Sequence, residues 1–235
     1  MVSSPFGGVD AIHAGLLRDT LARLAIPLAG RAVLDVGCGR GYAETVVRAE
    51  GGRYTGLDFV VSRRGFPLVQ GDAARLPFGD GQFDVAFCID ASEHFPEPEH
   101  AAAEVRRVLR PGGVFFLSAP NYGNVAGLVK WCCEAAGWYA RDSWAPFGRW
   151  TPQEYERALT PRRIRRLYRE AGFTRIHAVG HAEEVGLGLF PWVDHPRMPE
   201  AVQFRMQRLF ARLGPAAIRT WPGSSLHLFW RMDVA

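Results

Sequence analysis

The chain has 235 residues, 48% of them hydrophobic, and a formal net charge of +4 at neutral pH. This length suits one α/β domain with a sizeable core, and no apolar run reaches the roughly eighteen residues that span a membrane. Because no charged segment followed by an apolar one opens the chain, we expect no secretory signal and a cytoplasmic protein. Four cysteines without metal-ligand spacing favour reduced thiols.

The basic residues are densest in one predicted helix, which carries Arg162, Arg163, Arg165, Arg166 and Arg169. A nucleic-acid interface would interleave such a stripe with aromatic side chains that stack on bases. We therefore interpret the stripe as a solvated helix face and expect no nucleic-acid partner.

Short apolar runs alternate with helical patterns along the chain, which predicts an open parallel sheet with helices on both faces. Strands are predicted over 32–36, 53–57, 67–71, 83–89, 114–119, 174–180 and 226–232, with a turn at 111–113. Helices are predicted over 9–25, 41–50, 98–109 and 161–171. The last of these has Thr160 as N-cap and Pro161 at its first position. Two stretches, 121–159 and 182–222, lie outside the pattern and are interpreted as insertions.

A glycine-rich loop is the most specific motif in the chain. Residues 33–41 place Gly37, Gly39 and Gly41 directly after an apolar strand that carries Asp35. Glycine permits positive φ and leaves no Cβ in the way of a ligand, so the loop is typical of one that lies against a small molecule. A plain tight turn is the alternative interpretation. The G-x-G-x-G spacing differs from the G-x-G-x-x-G of dinucleotide-binding loops, which disfavours an NAD(P) enzyme.

Four segments in order resemble a known family. They are Val-Leu-Asp-Val-Gly-Cys-Gly-Arg-Gly at 33–41, Gly-Asp-Ala at 71–73, the strand and Glu-His loop at 83–94, and Arg-Pro-Gly-Gly at 110–113. Together they resemble the class I S-adenosylmethionine (SAM) methyltransferases, in particular the ubiquinone/menaquinone-type and small-molecule (type 11) subfamily. The resemblance covers about residues 31–119, together with the Glu-Ala-Gly-Phe helix end at 170–173.

The resemblance implies a Rossmann-like doubly wound sheet of seven strands, mostly parallel with the last strand antiparallel, together with an N-terminal helix and two lid insertions. It also implies SAM as cofactor and S-adenosylhomocysteine as product. Cofactor contacts are expected from residues near the ends of the first four strands: Asp35, Gly37, Cys38, Gly39, Asp58, Phe59, Asp72, Ala73, Ile89 and Asp90.

Two acids among these have alternative interpretations. Asp58 ends the second strand, where a carboxylate can accept both ribose hydroxyls of a nucleoside, although it could instead cap a helix. The resemblance implies that Asp72 holds the adenine amino group, although chemistry alone would also allow a turn cap. Only fourteen residues separate the two acids, which is short for the family. The adenine wall must therefore come from Phe59, Val60 or an insertion.

The loop after the fourth strand carries the candidate catalytic residues, Glu93 and His94. A histidine beside the donor methyl can take a proton from an acceptor hydroxyl or amine. The alternative is a structural loop in which both side chains bond to backbone. A third interpretation groups Asp90, Glu93 and His94 as oxygen and nitrogen ligands of Mg²⁺ or Mn²⁺, although we expect no metal.

Aromatic residues are dense in the first insertion. Tyr122, Trp138, Trp144 and Trp150 are the candidate substrate-binding residues of a lid over an apolar or aromatic acceptor. A satellite core packed on the sheet is the alternative. The second insertion carries weaker candidates of the same kind, which are Phe190, Trp192, His195 and Trp221.

The sequence thus predicts one domain over 1–235, with its core at about 31–120 and 160–235 and lid insertions at about 121–159 and 182–222. The predicted function is a SAM-dependent methyltransferase (EC 2.1.1.-) that acts on an oxygen, nitrogen or carbon nucleophile of a small apolar or aromatic molecule. The arginine-rich composition hints at bacterial natural-product or quinone-like biosynthesis. A non-catalytic SAM-binding partner protein is the alternative. We expect no membrane span, and a monomer or homodimer.

Overall fold

Seven strands form one sheet within the residues that the computed structural model describes, which are 9–60, 65–136, 157–190 and 198–235. The strands are β1 (Ala32–Val36), β2 (Arg53–Asp58), β3 (Leu68–Gln70), β4 (Phe83–Ile89), β5 (Leu109–Pro120), β6 (Phe173–Val179) and β7 (His227–Val234). Their order is β3-β2-β1-β4-β5-β7-β6. Strand β7 runs antiparallel between β5 and β6, and the other pairs are parallel. The predicted Rossmann-like fold with an antiparallel last strand is therefore confirmed.

Helices cover both faces of this sheet. They are α1 (Val9–Arg23), α2 (Tyr42–Ala49), α3 (Pro98–Val108), α4 (Val125–Ala135), α5 (Pro161–Glu170), α6 (Val185–Leu189) and α7 (Glu200–Thr220). Leu34 of β1 shares one apolar cluster with Val105 of α3 and Ile164 of α5. Its neighbour Val33 belongs to the opposite cluster, with Val46 of α2. Successive strand residues face opposite sides, so a strand covered on both sides needs the continuous apolar run that β1 has.

The start of β5 differs most from the prediction. The helix before it ends at Val108, and Leu109 already pairs with Phe83 of β4. The next pair joins Val114 to Val85, so the register shifts between them. The predicted turn at 111–113 is therefore an irregularity inside a strand, because β5 has four residues where β4 has one.

The predicted cap of α5 is confirmed. The hydroxyl of Thr160 accepts a hydrogen bond from the backbone N–H of Arg163 at 3.3 Å, and Pro161 occupies the first turn. Both predicted insertions contain helices that the sequence analysis did not predict, with α4 in the first and α6 and α7 in the second. Within the described ranges, no helix is both long enough and apolar enough to cross a bilayer.

Candidate active site

The glycine loop folds from the end of β1 across to β2. The backbone N–H groups of Gly37 and Cys38 both donate to the carbonyl of Leu57, at 2.8 and 3.0 Å. All three glycines have positive φ, at 72° for Gly37, 50° for Gly39 and 74° for Gly41. Only glycine adopts this conformation without strain at successive alternate positions.

The surroundings of these glycines differ. A Cβ on Gly37 would lie 2.6 Å from the Cβ of Ala91, and one on Gly41 would overlap the ring of Phe66. A Cβ on Gly39 would meet nothing within 4 Å. Gly37 and Gly41 therefore allow tight packing inside the protein, whereas the exposed Gly39 leaves open space that an extended ligand can approach.

Asp58 connects this loop to the end of β2. One oxygen of its carboxylate accepts from the N–H of Gly39 at 2.8 Å, and the other accepts from the N–H of Val60 at 3.0 Å. The half-buried carboxylate is thus held in a fixed orientation, and each oxygen keeps a second lone pair for a further donor. Asp58 thus caps the turn that begins at its own position. This role is close to the helix cap that the sequence analysis gave as the alternative. Both interpretations are compatible with this geometry.

Asp35 lies buried beneath the loop, with only 2% of its surface exposed. One carboxylate oxygen accepts from the hydroxyl of Tyr54 at 2.7 Å, and the other oxygen has no hydrogen-bond partner. Burial raises the pKa of Asp35 to about 7; the Tyr54 hydrogen bond opposes this rise, and the charge of Asp58 adds to it. A buried acid with an unused oxygen is suited to a cationic group on a ligand.

The adenine-binding prediction rests on residues that the structure places near β3. Asp72 is exposed, and its carboxylate accepts from the N–H of Ala74 at 2.9 Å, which is the turn cap of the alternative interpretation. Ala73 beside it is buried. Phe59 is 74% exposed at the end of β2, and its carbonyl accepts from the side-chain amide of Gln70 at 3.1 Å. Phe59 is thus placed where a flat ligand can lie against it.

The end of β4 is fixed to its neighbour β5. Asp90 has a φ of 47°, its N–H donates to the carbonyl of Ser118 at 3.1 Å, and its carboxylate accepts from the Ser118 hydroxyl at 2.5 Å. Ile89 before it is half-buried. These bonds aim the following loop outward from the carboxyl edge of the sheet, where ligands of open α/β sheets bind.

Glu93 and His94 lie in a short 3-10 turn on that loop, as predicted. The Glu93 side chain is 3% exposed and the His94 side chain 32%, and 4.0 Å separates Glu93 Oε1 from His94 Nε2. The Glu93 carbonyl accepts from the N–H of Arg157 at 2.8 Å, which connects the loop to the chain before α5. His94 is therefore accessible, whereas Glu93 is enclosed.

The metal alternative finds no support in this arrangement. The carboxylate of Asp90 is turned to Ser118, while Glu93 is buried beside His94. Across the described ranges, no three histidine, cysteine, aspartate or glutamate side chains come together as a ligand group.

Sequence reasoning missed a largely buried ion pair, in which 21% of the His227 side chain and 18% of the Glu184 side chain are exposed. Nδ1 of His227, at the start of β7, lies 2.9 Å from Oε1 of Glu184. The other Glu184 oxygen accepts from the His227 N–H at 2.9 Å and from the Ser225 hydroxyl at 2.7 Å. No spacing signal could reveal this pair, because 43 residues separate its members.

The pair interacts electrostatically with acids of the candidate catalytic loop. Burial lowers the pKa of His227, but the carboxylate of Glu184, with contributions from Asp90 and Glu93, raises it to about 10. Burial by itself raises the pKa of Glu184. The charge of His227 and the hydrogen bonds from His227 and Ser225 lower it by more, so this pKa lies below its usual value. At neutral pH the His227 ring is therefore positively charged, and this charge interacts with Asp90 and Glu93.

The predicted lid is described only in part. Tyr122 is half-buried just after β5, and its N–H donates to the carbonyl of Leu159 at 3.4 Å. Trp138, Trp144 and Trp150 lie outside the described residues. In the second insertion Phe190 is half-buried at the end of α6 and Trp221 is 47% exposed after α7, and Trp192 and His195 lie outside the described residues.

Comparison with known families matches residues 34–117 to a methyltransferase domain. The match begins in β1, includes the glycine loop, Asp58, Asp72 and the loop after β4, and ends in β5. Residues 34–117 are therefore similar to SAM-dependent methyltransferases. The ubiquinone/menaquinone-type subfamily is not singled out by this match.

Curated relatives align over part of the chain. A sterol 24-C-methyltransferase (ERG6B) of Gibberella zeae is 41% identical over 101 residues, which is 37% of this chain and 27% of the relative. The phthiotriol/phenolphthiotriol dimycocerosates methyltransferase 1 of Mycobacterium ulcerans is 36% identical over 124 residues, or 48% of this chain and 45% of the relative. The chain thus spans less than half the length of these two relatives.

Solved structures share the fold over a longer range. A SAM-dependent methyltransferase from Archaeoglobus fulgidus superposes with a TM-score of 0.61 and 17% identity, and the alignment covers 94% of each chain. This likeness shows that the shared fold extends beyond residues 34–117.

Proposed function

We propose that this protein is a SAM-dependent methyltransferase that acts on a small lipid, sterol-like or aromatic acceptor. The observation that carries the proposal is the joining of Gly39 to Asp58 at the carboxyl edge of the sheet, inside the segment that matches a methyltransferase domain. The fixed carboxylate beside an open glycine suits a nucleoside, because a diol is commonly held by two charge-assisted hydrogen bonds.

The described residues fit SAM on two further observations. Asp35 has a buried oxygen with no partner, suited to the ammonium group of the cofactor, and Gly39 leaves open space on the glycine loop. Phe59 supplies an exposed ring for the adenine face. We assign cofactor contacts to the set expected from sequence, which is Asp35, Gly37, Cys38, Gly39, Asp58, Phe59, Asp72, Ala73, Ile89 and Asp90.

When bound, SAM supplies an activated methyl group, which an acceptor nucleophile takes in line with release of S-adenosylhomocysteine. Because the donor is already activated, positioning of the two reactants contributes most of the rate acceleration. We assign His94 as the base for acceptors that must lose a proton, because its accessible ring stands on the loop after β4. The enclosed carboxylate of Glu93 would orient it.

The acceptor class is argued from two sources. The aligned relatives are named for a sterol and for phthiotriol or phenolphthiotriol dimycocerosates, and these names support a lipid or sterol-like acceptor. The insertions of this chain are rich in aromatic side chains, among them Tyr122 and the tryptophans at 138, 144 and 150. We propose that residues 1–235 form one domain in which these insertions cover the acceptor.

The test measures cofactor binding and turnover separately. Calorimetry with SAM and S-adenosylhomocysteine should show binding of both, and mass spectrometry should identify any ligand retained on purification. A screen with SAM carrying a labelled methyl group should then label at least one sterol, long-chain alcohol or phenol. SAM binding without transfer to any acceptor class would favour the non-catalytic partner protein, and failure to bind SAM would overturn the proposal.

A further inference from the structure

Helix α7 exposes a row of apolar side chains to solvent. Val202, Leu209 and Leu213 are between 41 and 52% exposed. Their spacings of seven and four residues place them on one side of the helix. The inner side of the helix, which adjoins this row, contains half-buried Met206 and Phe210. The exposed row therefore borders the face that stabilises the fold.

Arginines line the side of α7 next to this row. Arg205, Arg208, Arg212 and Arg219 are all exposed, and the only acid in the helix is Glu200 in its first turn. The guanidinium of Arg208 lies 5.7 Å from the centre of the exposed Phe204 ring. An exposed apolar row bordered by arginines is the pattern of a helix that lies in a membrane interface.

A second exposed apolar row lies on a neighbouring element. Leu128 and Trp131 of α4 are 58 and 64% exposed and lie three residues apart on one side of the helix. Helix α6 lies between α4 and α7. A Cβ on its Gly186 would come within 2.8 Å of the ring of Phe210, and one on its Gly188 would come within 3.0 Å of the Asn124 amide. Both rows thus belong to one group of adjoining helices that follows the carboxyl ends of β5 and β6.

We propose that α7 binds the surface of an anionic lipid bilayer, with Val202, Leu209 and Leu213 inserted among the acyl chains and its arginines on lipid phosphates. Charge favours this occupant over a second copy of the chain. A two-fold contact through α7 would bring the arginine rows of both copies together, which is unfavourable. Guanidinium groups instead complement phosphate directly.

The inference rests on the proposed function in one respect: a lipid acceptor of the methyltransferase would come from the bilayer that α7 binds. Its test needs neither SAM nor acceptor. Binding to vesicles and binding of SAM can therefore fail independently, and each failure identifies which proposal is wrong.

The experiment measures partitioning of the full chain onto vesicles by sedimentation. Vesicles of equal parts phosphatidylcholine and phosphatidylglycerol should bind it well, and vesicles of phosphatidylcholine alone should bind it weakly. Each arginine near an anionic surface contributes about fivefold, so R205Q/R208Q/R212Q should reduce partitioning onto the anionic vesicles about a hundredfold. L209Q/L213Q should reduce it by at least about tenfold.

Helix α5 supplies a matched control. Arg162, Arg163 and Arg169 are exposed there, while the apolar residues Ile164 and Tyr168 of the same helix are buried. R162Q/R163Q/R169Q removes the same charge without touching an apolar row, so partitioning should change much less. Circular dichroism and melting curves establish that each variant is folded.

Three results would overturn the proposal. The first is equal binding to the two kinds of vesicle, or none to either. The second is an α5 variant that loses as much partitioning as the α7 arginine variant, which would make binding a matter of net charge. The third is a concentration-dependent dimer in light scattering that L209Q/L213Q abolishes, which would assign the apolar row to a second copy.

Discussion

The carboxylate of Asp58 accepts a hydrogen bond from the backbone N–H of Gly39 at 2.8 Å. This bond joins the end of β2 to the turn between β1 and α2, so the acid and the open glycine form one rigid surface. A ligand that contacts both Asp58 and Gly39 binds to groups whose orientation is already fixed. Preorganisation of this kind lowers the entropic cost of binding.

Replacing Asp58 should weaken SAM binding without unfolding the protein. Loss of two charge-assisted hydrogen bonds should cost about 2–4 kcal/mol of binding free energy in Asp58→Ala, as measured by calorimetry. Asp58→Asn keeps an acceptor for the N–H of Gly39 and should be less affected. Asp19→Ala, which removes an exposed acid of α1, is the matched control. Unchanged affinity in a folded Asp58→Ala protein would contradict the ribose assignment.

Asp35 should make the stability of the ligand-free protein depend on pH. Its pKa of about 7 in the folded state exceeds the usual 3.8, so the folded protein holds this proton more tightly than the unfolded chain. The free energy of unfolding should therefore fall as the pH rises from about 4 to about 7, by roughly 4 kcal/mol from this group.

Urea unfolding at several pH values, without SAM, checks this expectation. Asp35→Asn can still accept from Tyr54 and has no charge to bury, so this part of the pH dependence should disappear. The variant should then be at least as stable as the wild type at about pH 8. A variant that retains the full pH dependence of the wild type would rule out Asp35 as its source.

The Glu184–His227 pair should stabilise the fold most below neutral pH. The folded pKa of His227, about 10, lies above the usual 6.5, so its contribution is complete below about pH 6.5 and is lost as the pH rises through 10. His227→Gln leaves the largely buried Glu184 without its cation, which should cost about 3 kcal/mol near neutral pH.

Guanidinium unfolding of His227→Gln and the wild type should therefore give stability curves that converge near about pH 10. His100→Gln is the matched control, because His100 also pairs with an acid, Glu97 at 2.6 Å, but on the exposed surface. We expect its stability to change by less than about 1 kcal/mol. Equal losses of stability in the two variants would mean that the His227 pair stabilises the fold no more than an exposed pair does.

His94 should matter for turnover and not for cofactor binding. With an acceptor that must lose a proton, His94→Ala should lower kcat by roughly 10²–10⁴ and leave SAM affinity within a few-fold. His100→Ala serves again as the control. A nearly normal rate in His94→Ala would leave a site that works by positioning alone. Activity of the wild type after EDTA treatment would dispose of the metal alternative at Asp90, Glu93 and His94.

The aromatic insertion should determine acceptor choice. Replacing Trp138 or Trp144 by alanine should raise the KM for the acceptor or lower kcat, while SAM affinity stays within a few-fold, because the proposed cofactor contacts lie at the sheet edge. Kinetics with a matched pair of acceptors and melting curves provide the measurements. If the melting temperature falls sharply and the remaining folded enzyme has normal kinetics, the aromatic residues form a satellite core.

Local patterns in the sequence determined the sheet and the glycine loop. The apolar run of β1 and the three alternate glycines are short-range signals, because a covered strand and a positive φ impose residue types at neighbouring positions. The Thr160 cap was predictable for the same reason. The bulge in β5 was not, because it depends on how Leu109 and Val114 register against a different strand.

Tertiary structure alone decided what lies around the site. Glu184 and His227 meet only because β7 inserts between β5 and β6, which brings residues 43 positions apart into contact. The same packing orients α7 so that Met206 and Phe210 face inward while Leu209 and Leu213 face solvent, a division that the residue types alone leave open. Sequence patterns report which side chains prefer burial, but the fold determines which of them find a partner.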